Sequence, residues 1–147
     1  MSQHITRHGV ATRYSEAAVF NGVVYLAGMV PECEATDIRS QTADVLAQVE
    51  QRLKEAGSDK SRILRTQIYL TDIREIGVMN EVWDAWVVPG TAPPRATVQA
   101  ALADPVIVLL DEVETLAADR AKLSMDANPI DVHRATDAVL VQLDALA

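Results

Sequence analysis

The chain has 147 residues, 49% of them hydrophobic and 4% aromatic, which suits one domain with an aliphatic core. Its 13 basic and 21 acidic residues give a formal net charge of −8 at pH 7, which argues against a nucleic-acid-binding surface. A single cysteine, Cys33, cannot form an internal disulfide or a multi-cysteine metal site. Because no apolar run is long enough for a membrane span and no signal-peptide pattern is present, we expect a cytoplasmic protein without membrane contact.

The clearest local pattern is a hairpin near the N-terminus. Residues 17–20 and 23–28 are strand-like, and the dipeptide Asn21-Gly22 between them supplies the two positive-φ positions of a type I′ turn. A short edge strand is predicted upstream, at residues 4–7. The sequence therefore predicts that two antiparallel strands meet at Asn21-Gly22.

A first helix is predicted over residues 37–56, with Gly57 as its C-terminal stop. Its apolar stripe should cover one face of the sheet. The stripe consists of Thr42, Val45, Leu46, Val49 and Leu53.

Residues 63–70 alternate between apolar and polar, which predicts a half-buried strand. Residues 72–75, Asp-Ile-Arg-Glu, have the spacing of a capping box and predict the start of a second helix. We interpret Trp83 and Trp86 on this helix as core anchors before any role in stacking on a ligand. The predicted packing stripe of the helix is Ile76, Met79, Val82, Trp83 and Trp86.

A charged residue interrupts the small-residue strand that follows Pro93 and Pro94. Strand alternation places Arg95, Thr97 and Gln99 on one face. The other face holds Ala96, Val98, Ala100 and Leu102. One face should pack and the other should hold something polar, because a planar guanidinium suits a carboxylate or a phosphate. An ordinary ion-paired surface arginine is the alternative.

A further aliphatic run, residues 106–110, continues into the acidic segment 111–117. A strand here would place Glu112 and Glu114 on one face, and such paired acids are most often a solvated surface. The order of strands and helices predicts an α+β fold in which two helices pack on one face of a mixed sheet.

These residues carry a family resemblance that extends over roughly 14–117. The chain resembles the RidA (YjgF) family in Tyr14, the strand 24–28, Gln41-Thr42, Leu53, Ala56-Gly57, the strand end 68–72, Asn80, Pro94-Arg95 and residues 112–114. Residues 83–88 and 97–100 look like its YoaB-like branch. The resemblance implies a chorismate-mutase-like fold and a homotrimer with clefts between subunits. It also implies hydrolysis of reactive enamine or imine intermediates to a 2-keto acid and ammonia, with no metal and no cofactor.

Carried over by position, the resemblance implies that Arg95 binds the substrate carboxylate and that Glu112 lies near the catalytic water. It implies that Tyr14 lines the cleft and that Asn80 lies near the site. Thr97 stands where archetypal members have a cysteine, so only a hydrogen-bonding role can be expected there. The chain also has extra residues between Leu102 and Glu112 relative to the usual spacing.

Two other functions stay open. One is a non-catalytic trimer that binds small carboxylates or acts as a regulator. The other is the ribonuclease activity known in some relatives, which the net charge of −8 and the lack of a basic stripe disfavour.

The C-terminal part departs from the family, which usually ends soon after the position of Ala117. We predict a RidA-like domain at residues 1–118 and an extension at residues 119–147. Asn128-Pro129 has the composition of a helix start, so the extension should be helical from about residue 129. Its apolar stripe should pack on its own trimer or on a neighbouring one, rather than on a membrane.

Overall fold

A computed structural model describes residues 4–102 and the backbone of residues 108–114. The elements are β1 Thr6–Val10, β2 Ser15–Phe20, β3 Val23–Leu26, α1 Ile38–Glu55, β4 Ile63–Leu70, α2 Ile76–Trp86, β5 Arg95–Gln99 and β6 Val108–Glu114. The strands of the described residues form one six-stranded sheet in the order β1-β2-β3-β6-β4-β5, in which only the β4–β5 pair is parallel. The predicted mixed sheet with two helices is therefore confirmed.

The hairpin between β2 and β3 is confirmed. Asn21 has φ 50° and Gly22 has φ 75°, as a type I′ turn requires. The edge strand β1 lies later than residues 4–7: it continues through Gly9, which has φ 59°, to Val10 and keeps one register with β2 throughout.

Helix α1 follows its prediction at both ends. The Asp37 carboxylate accepts a hydrogen bond from the Ser40 backbone N–H at 2.8 Å, and this bond lowers the pKa of Asp37. Gly57 at φ 79° ends the helix, where the Ser58 N–H donates to the Leu53 carbonyl at 2.8 Å. The buried stripe holds the five predicted residues and also Gln41.

Helix α2 begins one turn later than the capping box predicts. The Asp72 carboxylate caps a 3₁₀ turn, Ile73–Glu75, by accepting from the Arg74 N–H, and α2 then begins at Ile76 without a side-chain cap. The capping-box prediction is wrong in that detail because the segment first forms the tighter turn. The packing stripe is confirmed, with Met79 and Trp83 buried and its other members partly buried.

The prediction of a half-buried β4 is wrong, because residues 66–70 are buried on both faces. The strand lies between β5 and β6, so both of its edges are hydrogen-bonded and it is a central strand of the sheet. Gln67, on the face away from the helices, donates to the Ala96 carbonyl at 3.2 Å, which satisfies its buried amide.

The two helices are joined by polar contacts on Glu50. Its carboxylate accepts from Trp86 Nε1 at 3.1 Å and lies 3.7 Å from Lys60 Nζ. Lys60 Nζ also lies 5.2 Å from the centroid of the Trp86 ring. An exposed ion pair between Arg39 and Glu81 adds a second link. These contacts hold α2 in place beneath β5.

The strand predicted after residue 106 is observed as β6, inserted between β3 and β4. The predicted C-terminal extension of residues 119–147 lies outside the described residues. Within the described part of the chain, no helix is long and apolar enough to cross a membrane.

We expect Gly9→Ala to destabilise the fold more than Gly57→Ala. Both glycines have positive φ, which costs alanine about 1–2 kcal/mol. A Cβ at Gly57 would meet nothing within 4 Å, whereas at Gly9 it would meet the Glu16 carboxylate, which forms a 2.8 Å ion pair with Arg52.

Urea unfolding measures the free energy of unfolding of the two variants. The difference between their free energies should disappear when both are made in a Glu16→Ala background. Equal destabilisation in the native background would contradict the proposed clash.

Candidate functional site

Arg95 begins β5 and points toward α2. Its Nη2 donates to Asn80 Oδ1 at 2.7 Å, and its Cζ lies 5.1 Å from the centroid of the Trp83 ring. Strand β5 is fixed at this end because the Thr66 N–H donates to the Pro94 carbonyl at 3.0 Å. The guanidinium is therefore held between a strand and a helix of the same chain.

This orientation corrects the predicted roles of the two faces of β5. We expected the face of Ala96 and Val98 to pack and the face of Arg95 to hold something polar, but Arg95 and Thr97 are on the face that packs against α2. On the other face, Val98 is 42% exposed. The polar face can pack because Asn80 and Trp83 offer an amide oxygen and an aromatic face to the guanidinium.

Two buried polar atoms on this face, Arg95 Nη1 and Thr97 Oγ1, have no hydrogen-bond partner within the part of the chain that the structure describes. They belong to residues two apart on one strand, so they share a face. Leaving such groups unpaired costs free energy, and a ligand that pairs both would recover it.

The charge of Arg95 is not balanced by an acid of residues 4–102, within which it forms no ion pair. Burial lowers the pKa of its guanidinium below the ordinary value, and the negative charge of Asp84 opposes this shift. A guanidinium nevertheless stays charged at neutral pH. The site is therefore suited to a small anion, with Nη1 and the Thr97 hydroxyl as donors.

Gln99, the third polar residue of this strand face, has a structural contact. Its side-chain Oε1 accepts a hydrogen bond from the Ile73 N–H at 3.0 Å. It thus holds the 3₁₀ turn that leads into α2.

Tyr14 lies far from Arg95 within one chain. It is 63% exposed and borders a shallow depression together with Gly28, Val30 and Arg52. Strands β3, β6 and β4 separate β2, which follows Tyr14, from β5. At about 4.8 Å per strand, this separation is roughly 19 Å.

Position 112 is also apart from Arg95. Its backbone pairs with Tyr25 and Arg65, whereas Arg95 pairs with Thr66. Arg65 and Thr66 are adjacent on β4 and therefore belong to opposite faces of the sheet, so position 112 and Arg95 are on opposite faces as well. The structure therefore brings together Arg95, Thr97 and Asn80, and it separates Tyr14 and position 112 from them.

The sequence reasoning missed the contact between Trp83 and Arg95. Trp83 is a core residue, as predicted, but its ring also faces the guanidinium. The available signal was its spacing from Asn80, because residues three apart on a helix share a face.

A family profile described as Endoribonuclease L-PSP matches residues 4–119. The chain is also 46% identical over 101 residues to a RutC family protein of Haemophilus ducreyi, covering 69% of this chain and 86% of that protein. The chain belongs to the RidA (YjgF) family. It is 45% identical over 101 residues to the RutC family protein YoaB of Escherichia coli K12, covering 69% of this chain and 88% of that protein, which supports the YoaB-like assignment.

A solved structure of a YjgF-family protein from Neisseria meningitidis has a TM-score of 0.74 and 43% identity, covering 77% of this chain and 96% of that one. The chorismate-mutase-like fold expected of this RidA-family chain is thus confirmed. A shorter part of the chain is similar to CD-NTase-associated protein 6 of Pseudomonas aeruginosa. The two are 76% identical over 53 residues, which are 36% of this chain and 17% of that protein.

Thr97→Val should stabilise the protein by about 1 kcal/mol, because it removes a buried hydroxyl that has no partner. The same change should weaken the binding of a small carboxylate. Urea unfolding and calorimetric titration with 2-oxobutanoate on one sample would measure both effects. A loss of stability together with unchanged binding would show that the hydroxyl has another partner.

Proposed function

We propose that this RidA-family protein hydrolyses reactive imines or enamines derived from amino acids and releases a 2-keto acid and ammonia. The observation that carries the proposal is the partly buried Arg95 cation: its Nη1 and the Thr97 hydroxyl on the same strand face have no hydrogen-bond partner among the described residues. Family membership supports it, as does a relative named Reactive Intermediate Deaminase A of Arabidopsis thaliana. That relative is 33% identical over 94 residues, which are 60% of this chain and 50% of that protein.

In the binding step, Arg95 takes the substrate carboxylate. Because Nη2 is occupied by Asn80, the carboxylate approaches Nη1 and accepts its second hydrogen bond from Thr97. Such fixed donors orient the imine carbon, and orientation is a large part of what a site needs for an already reactive substrate.

The chemical step needs little more than a positioned water. A protonated imine is electrophilic, so water adds to its carbon, and the resulting carbinolamine loses ammonia to give the keto acid. Glu112 is the proposed general base that accepts the proton of the attacking water. No cofactor is needed, because the substrate itself carries the reactive double bond.

The proposed site is completed by a homotrimer. Tyr14 and position 112 are separated from Arg95 within one chain, so a cleft that contains all three needs a second copy. The exposed apolar side chains on the face away from the helices, Val98 and Tyr25, suit such a contact.

Arg95→Ala should lower turnover of an imine generated by an amino-acid oxidase more than about 100-fold, because it removes the charged partner of the carboxylate. Its melting temperature should change little, since the partners that it leaves, Asn80 and Trp83, are uncharged. Arg95→Lys should restore little activity, because it lacks the planar fork. Arg39→Ala, which removes an exposed arginine from the ion pair with Glu81, is the matched control and should keep full activity.

Glu112→Gln separates chemistry from binding in the same assay. It should lower kcat while leaving the affinity for 2-oxobutanoate unchanged. Full activity of Arg95→Ala would refute the proposed clamp. A wild-type protein that binds keto acids without hydrolysing imines would instead be the non-catalytic carboxylate-binding protein.

Sedimentation equilibrium at micromolar concentration should give a mass about three times the 16.0 kDa of one chain. Val98→Glu should produce smaller species that are folded but inactive, because it places a charge on the exposed apolar face. Val88→Glu, at a loop position outside the sheet, is the control. An active wild-type monomer would contradict the shared cleft.

A further inference from the structure

We propose that Trp83 is a positioning residue, whose indole face fixes the Arg95 guanidinium so that Nη1 points to the carboxylate that Thr97 also binds. This inference rests on the proposed function. It assigns to a core tryptophan a specific effect on ligand affinity.

Two contacts from one helix hold the guanidinium. Asn80 and Trp83 are three residues apart on α2 and therefore face β5 together. Asn80 Oδ1 accepts from Nη2 at 2.7 Å, and the Trp83 ring centroid lies 5.1 Å from Cζ. One contact in the plane of the guanidinium and a second from an aromatic ring restrict both its position and its rotation.

Both partners of the guanidinium are uncharged. A carboxylate in their place would hold Arg95 equally well but would neutralise it and compete with an anionic ligand. An amide oxygen and an aromatic ring stabilise the cation while leaving its positive charge available. Residues 4–102 provide no ion pair for Arg95, and only the more distant charge of Asp84 offsets it, so a ligand meets a cation without a directly bound acid.

The Trp83 ring is itself fixed. It is 5% exposed and belongs to the main hydrophobic core. The centroid of the Trp86 ring lies 5.6 Å from that of Trp83, and Trp86 Nε1 donates to the Glu50 carboxylate. Trp83 therefore cannot turn away without disturbing the core, and it forms a rigid support for Arg95.

Calorimetric titration with 2-oxobutanoate tests the inference. Trp83→Leu should weaken binding about tenfold, the size expected from losing a desolvated cation–π contact. Trp83→Phe, which keeps a ring with a weaker quadrupole, should fall between Trp83→Leu and the wild type. Val24→Ala is the matched control: it truncates a fully buried core side chain on β3, which β6 and β4 separate from β5, so it should lower the melting temperature but keep wild-type affinity.

Fluorescence adds a signal that a purely structural role would not change. The chain has two tryptophans, so Trp86→Phe leaves Trp83 as the emitter. In Trp86→Phe, the emission of Trp83 should change as 2-oxobutanoate is added, over the concentration range in which calorimetry detects binding. Adding Arg95→Ala to this variant should abolish the change. In Trp83→Phe, where Trp86 is the emitter, the change should be several-fold smaller.

The outcomes separate this inference from the proposed function. If Arg95→Ala loses binding while Trp83→Phe and Trp83→Leu keep wild-type affinity, the positioning role is wrong and the clamp stands. If the wild type does not bind the keto acid, or if Arg95→Ala binds it equally well, both are wrong. Should Trp83→Leu fail to fold, the affinity and emission of Trp83→Phe decide the question.

Discussion

The candidate site depends on one constraint: a partly buried guanidinium is held between a strand and a helix without an ion-paired acid among residues 4–102. Burial of a charge is costly unless the group is hydrogen-bonded or paired, and here Asn80 and Trp83 compensate Arg95 only in part. Arg95 Nη1 has no hydrogen-bond partner among the described residues, which costs stability. The proposed carboxylate ligand would supply that partner.

The rest of the described fold supports this arrangement. The parallel pair β4–β5 needs a crossover, and α2 supplies it, so the helix packs on one face of the sheet. The contacts of Arg95 with Asn80 and Trp83 place the helix next to β5. Glu50 on α1 fixes the far end of α2 through Trp86, and Gln99 fixes the turn before it. These contacts determine where Asn80 and Trp83 lie relative to the strand.

The sheet also explains why one chain holds only part of the proposed site. Arg95 is on an edge strand, whereas Tyr14 precedes a strand four positions away. Position 112 pairs with Tyr25 and Arg65, which are on the face of the sheet opposite to that of Arg95. If the deaminase proposal is right, the family's functional residues are distributed over separate parts of the sheet, and assembly brings them together.

The sequence by itself determined the local elements. Asn21-Gly22 specified the hairpin, Asp37 and Gly57 specified the ends of α1, and strand alternation put Arg95 and Thr97 on one face. These features depend on contacts between residues close in the chain. Only the tertiary structure decided which face of β5 packs, how β4 is buried and which aromatic ring meets Arg95, because these depend on elements far apart in sequence.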